Sequence, residues 1–135
     1  MNMTFIFIAL LLPLQARQSG LSTPALHSVC EVVRHPNLYE GKVVYIESFV
    51  LASQHGVVLV GDQCKNGIYM SHDSGKTGGK WPEFDQALAR KSTGLETRQL
   101  WVKVKGVYRA NVAHGKTTIR QLEVLEVLDV SIRDE

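Results

Sequence analysis

The sequence predicts a mainly β fold with helices, arranged as a five-stranded barrel. Three observations carry that reading. Gly41–Val50 (GKVVYIESFV) and Leu100–Arg109 (LWVKVKGVYR) each alternate apolar and polar side chains, as a strand with one face on a core and one in water must. Two short apolar runs follow the first segment and a mostly apolar run follows the second. A helix-like stretch separates the two groups, so the order is strand, strand, strand, helix, strand, strand.

The chain opens with an apolar run, Phe5–Leu14 (FIFIALLLPL), far short of the roughly 20 residues a bilayer-crossing helix needs. It reads as the core of an export signal, with Leu14-Gln15-Ala16 offering a small residue before a cut, although MNMT lacks the usual basic start. Residues 1–16 are therefore expected to be a signal peptide and 17–135 a single domain, secreted or periplasmic, with no membrane span after cleavage. The alternative for the same run is a buried N-terminal strand or helix.

Fifteen Lys and Arg side chains against thirteen Asp and Glu give a net charge of +2, a mildly basic balance. Strong phosphate binders concentrate far more positive charge, so nucleic acid is permitted by this balance but not argued for by it. No basic run marks a membrane surface.

The two cysteines, Cys30 and Cys64, admit one intramolecular pairing, and export would deliver them to an oxidising compartment. A bridge would close a loop worth roughly 4 kcal/mol on the chain-entropy account and pin the N-terminal helix to the barrel. A catalytic thiol or a metal pair is the sharper alternative. It lacks support, because there is no CxxC and no histidine at ligand spacing beside either cysteine.

Ser22-Thr23-Pro24 supplies a cap followed by proline at a first helical position, and Leu26, Val29, Cys30 and Val33 recur at helical spacing until Pro36. Asn37–Gly41 is a turn. In the first strand Val44, Ile46, Ser48 and Val50 face inward, and Tyr45, Glu47 and Phe49 outward. Ser53–Gly56 turns into Val57–Val60, and Gly61–Gly67 turns into Ile68–Ser71. His72–Lys80, rich in glycine and polar residues, reads as a mobile loop, and Trp81-Pro82-Glu83 opens a helix to about Ser92 with Phe84, Ala87, Leu88 and Lys91 on its inward face. In the fourth strand Val102 and Val104 alternate with Lys103 and Lys105. Ala110–Lys116 is expected to be a turn, and Thr117–Val130 the last strand.

Over roughly Cys30–Val130 the chain resembles OB-fold domains, specifically small exported OB-like proteins related in pattern to the anticodon-binding type. The carriers are the Cys30 helix, NLYEGKVVYIES, the DQC segment at Cys64, the helix between strands three and four, and VKVKGVYR. Ser48 stands where such strands often use glycine. All of these are framework residues, so the resemblance implies shape and compartment rather than an activity.

OB barrels bind across strands two and three, flanked by the loops joining strands one to two and four to five. Applied to this chain, that rule selects Gln54 and His55 from the first loop, and Tyr69, Ser71 and His72 from the third strand and its exit. From the last loop it selects Arg109, Asn111, His114 and Lys116. An aromatic among basic and amide groups suits stacking plus backbone contacts, but a nucleic-acid groove ordinarily offers several stacking platforms. His55, His72 and His114 would form a metal-binding rim only if three separate loops converged. Asp73 could orient His72 as a base, yet no nucleophile is placed beside it.

Gly75-Lys76-Thr77 and Gly115-Lys116-Thr117 look like phosphate-loop fragments. Each lacks the earlier glycine, which is Met70 in one case and Ala110 in the other, so both read as polar turns. The expectation is a non-enzymatic, cofactor-free binding or interaction module for an extended polymer or a protein partner. The alternatives are single-stranded nucleic acid or oligosaccharide binding, an envelope accessory protein, and a histidine-rim metal binder.

Overall fold

The computed structural model describes residues 24–73 and 75–134, so the expected signal peptide lies outside the described residues. The elements are β1 (Leu26–His27), α1 (Val29–Arg34), α2 (Pro36–Tyr39), β2 (Val43–Ser53), β3 (Gly56–Val60), β4 (Gly67–Ser71), β5 (Gly78–Gly79), α3 (Trp81–Ser92), β6 (Gln99–His114) and β7 (Thr117–Arg133).

Five strands close on one another. β2 pairs antiparallel with β3, and β3 with β4. β4 then pairs parallel with β7, β7 antiparallel with β6, and β6 antiparallel with β2. Closure removes the free edges that an open sheet would expose. The alternation in β2 is as expected: Val44, Ile46, Ser48 and Val50 are buried while Tyr45, Glu47 and Phe49 are half-buried. With Leu59, Ile68, Leu100, Val102, Val104, Tyr108, Leu122, Val124 and Val127 these fill the interior.

β6 and β7 form one long hairpin, bent by three register shifts. Two of them leave an extra residue on β7, Leu128 and Leu125. The third sets Ala110 and Asn111 of β6 against the single residue Arg120 of β7. Such bulges increase local twist and let a long pair of strands wrap. At Gly106, beside one of these shifts, an added Cβ would stand 2.6 Å from the Glu123 carbonyl oxygen, so the close strand approach requires glycine.

Four expectations are corrected. Ala110–Lys116 is not a turn: β6 runs on to His114, and only Gly115 and Lys116, with Gly115 at φ 61°, separate it from β7. The pairs Val112 with Ile119, Ala113 with Thr118 and His114 with Thr117 satisfy the backbone there, making an arm where a loop was expected. The N-terminal helix starts at Val29, where the Ser28 side chain accepts from the Glu31 N–H at 3.1 Å, and Leu26 pairs parallel with Tyr45 instead of joining a helical stripe. After Pro36 the chain forms the short α2, where a turn was expected. Lastly, Gly78 and Gly79, expected within a mobile loop, form β5 and pair with Glu126 and Val127.

Helix α3 follows the sequence closely. Phe84 is fully buried, and Ala87 and Leu88 pack on the same core. Cys30 on α1 and Cys64 in the β3–β4 connection form a disulfide with Cα atoms 5.7 Å apart, fastening α1 to the closed sheet. No described helix is long and apolar enough to cross a membrane.

Candidate functional site

The outer surface of β3 and β4 presents Val58 paired with Tyr69, and Tyr69 lies next to Gln121 of β7, which pairs with Arg109 of β6. Tyr69 is half-buried, and its ring lies 6.4 Å from that of His114, tilted by only 22°. The β6–β7 arm thus folds an exposed imidazole over the one aromatic that sequence reasoning selected on this face. On the other side stands the β2–β3 turn, where Gln54 and His55 are exposed with their side-chain nitrogens 3.4 Å apart. Gly56, which ends that turn, approaches the Tyr69 ring.

The remaining selected residues divide. Ser71 is half-buried beside Glu123, Arg109 is exposed with its guanidinium near Gly41, and Lys116 is exposed in the two-residue turn at the arm tip. Asn111 sits in the bulge and lines a cleft shared with Tyr69. His72 does not join the others: its ring lies 4.1 Å from that of Trp81, which is buried at the head of α3. Among the described residues no three His, Cys, Asp or Glu side chains are grouped to hold a metal ion. Asp73 does not orient His72 either; its carboxylate accepts from the Gly75 N–H at 3.1 Å and faces Lys76 Nζ at 3.7 Å, which makes Gly75-Lys76-Thr77 a polar turn.

Of the two tryptophans, Trp81 is a core residue. Trp101 is half-buried on the outer face of β6, with the Arg133 guanidinium 4.2 Å from its ring centre and Phe49 at 5.8 Å. The closed sheet therefore carries a second outward aromatic group, on the β2–β6 side. Its charges are already engaged within the chain, since Arg133 and Lys103 both meet Glu47, at 3.0 and 3.7 Å.

The cleft beside Tyr69 measures about 330 Å³. Val33 and Pro36 wall it on the helical side, Gly67 and Tyr69 on β4, and Tyr108, Asn111, Ile119 and Arg120 on the hairpin. Tyr108 and Arg120 were not selected from the sequence. Tyr108 continues the inward phase of Val102 and Val104, which marks it as core, and Arg120 lies in a strand that reads as mostly apolar. Burial holds the Tyr108 phenol above its ordinary value; the Arg120 guanidinium pulls the other way and the Glu40 carboxylate adds to the rise. The hydroxyl is thus a protonated donor at neutral pH.

No protein-family model and no curated protein matches the chain. Among solved structures, an OBody bound to hen egg-white lysozyme is similar at 18% identity and a TM-score of 0.48, over 84% of this chain and 99% of that one.

Proposed function

We propose that the chain is an exported OB-type binding module that engages an extended partner, a protein segment first of all, across the outer face of β3 and β4. The observation that carries this reading is the pairing of Tyr69 with His114 between two projecting hairpins. A half-buried ring flanked by polar arms is the kind of surface on which OB barrels hold extended ligands. The ring order β2, β3, β4, β7, β6, with β4 parallel to β7 and α3 between β4 and β6, supports the OB assignment. The disulfide supports export, since such bonds persist in oxidising compartments.

The test is photocrosslinking from position 58, next to Tyr69, in the producing cells, after N-terminal sequencing of the processed chain. A discrete crosslinked protein that disappears with Tyr69→Ala and His114→Ala supports the proposal; adducts unchanged by both substitutions oppose it. A single-stranded oligonucleotide serves as the competing probe. If nucleic acid is the ligand, its affinity falls steeply with salt, and Arg109→Ala or Lys116→Ala flattens that slope.

A further inference from the structure

Among the described residues, the Tyr108 hydroxyl is the one fully buried side-chain polar atom without a hydrogen-bond partner. Tyr108 itself is 0% exposed. Buried donors are almost always paired, so an orphan in the wall of a cleft points to a ligand atom that completes it. A second observation bears on the same spot. The residues of the bulge that sets Ala110 and Asn111 against Arg120 all line the cleft, and Arg120 is the only charged residue in that lining. Bulges re-aim side chains in this way beside functional sites.

We propose that this cleft binds a carboxylate carried on a small apolar body, anchored by the Arg120 guanidinium and the Tyr108 hydroxyl. The guanidinium is a planar fork that matches a carboxylate with two parallel donors, and the phenol adds a third. One cation with no acidic residue in the lining balances a monoanion, whereas a phosphate dianion would find half its charge unmatched. Glu40, whose charge acts on Tyr108, lies outside the lining, where it accepts the Ala110 N–H at 2.5 Å. Val33, Pro36 and Ile119 supply apolar wall for the body of the ligand, and a volume of about 330 Å³ suits a small one. Such a group is offered by a free organic acid or by the C-terminus of a peptide ending in an apolar residue. The proposal holds whether or not a macromolecule occupies the outer face.

The experiment is calorimetric titration of the full chain with benzoate, with inorganic phosphate, and with a tripeptide ending in leucine, its C-terminus free or amidated. Saturable binding of benzoate or the free-terminus peptide is expected, with amidation weakening the peptide at least tenfold. Benzoate binding without peptide binding assigns a free acid, and tighter peptide binding assigns a C-terminus. Tyr108→Phe should weaken the bound carboxylate about tenfold without lowering the melting temperature, because it deletes only an unpaired hydroxyl. Arg120→Gln should lose more, and Arg120→Lys should recover part of the loss. The proposal is overturned if neither carboxylate saturates, as it would be if only water fills the cleft. Phosphate binding as tightly as the carboxylates overturns it too, and so does unchanged affinity in Tyr108→Phe.

Discussion

The Ser48 hydroxyl lies 2.6 Å from the carbonyl oxygen of Val60, at the point where β2 leaves its ladder with β6 and takes up its ladder with β3. Only 3% of the residue is exposed, and the same hydroxyl is 2.8 Å from the Phe49 carbonyl. The inward phase of β2 therefore admits one polar side chain, and that side chain joins two strands where the sheet bends.

Ser48→Ala would remove the hydroxyl's hydrogen bond to the half-buried Val60 carbonyl at nearly constant volume. A loss of about 1–2 kcal/mol is expected. It would be read as a lower urea midpoint with an unchanged slope, and an unchanged midpoint would count against the role given to Ser48.

Removing the bridge with Cys30→Ser and Cys64→Ser together should cost about 2–4 kcal/mol. Alkylation of the unfolded, unreduced chain should find no free thiol. Gly61 packs against both sulfurs, where an added Cβ would collide with Cys30 Sγ and Cys64 Sγ. Gly61→Ala should therefore raise the fraction of free thiol, which mass spectrometry after alkylation measures directly.

At Gly106 a methyl group would meet the Glu123 carbonyl oxygen at 2.6 Å and Leu122 Cγ at 2.8 Å. Gly106→Ala should destabilise by at least about 1–3 kcal/mol, the usual range for overpacking. Gly75→Ala, whose methyl would find its nearest neighbour at 3.5 Å, is the matched control and should be close to neutral by the same thermal melt.

Glu31 accepts a hydrogen bond from the Tyr39 hydroxyl at 2.8 Å and lies 3.1 Å from His27 Nδ1, and these contacts hold its carboxyl below the ordinary value, Tyr39 contributing most. A depressed carboxyl stabilises the fold above its unfolded value of about 4.3 and loses that contribution as pH falls through its folded value. Tyr39→Phe should cost no more than about 1 kcal/mol at neutral pH. The gap from the parent protein should narrow below about pH 4. Urea midpoints at three pH values would show it, and a constant gap would argue against the linkage.

How much was legible in the sequence depended on whether a residue's neighbours lie close along the chain. The inward phase of Val44 to Val50 and the span of α3 from Trp81 follow from local pattern and a proline near the helix start, and both are observed. The arm beyond Arg109 was not legible, because Asn111, Ala113 and His114 are exposed and Ala110 and Val112 only partly buried, while their order comes from backbone pairing with Thr117–Ile119. Leu26 fits a helical stripe by spacing, yet the edge of β2 at Tyr45 and Ile46 takes up its backbone. The Tyr108 and Arg120 pair was hidden for a third reason: a bulge, invisible to periodicity, brings them to one cleft. The Cys30–Cys64 bond was readable because two cysteines leave a single choice.

The position of β7 in the ring sets an order of assembly. It is the last of the five ring strands along the chain, yet β4, β5 and β6 all take backbone partners from it. A nascent chain consequently holds β4 with one side open until residues beyond 117 arrive, and such open sides invite wrong partners. Cys30 and Cys64 both emerge well before then, so their covalent tie can form on an unfinished molecule and hold α1 in place while the final ribbon is still on its way.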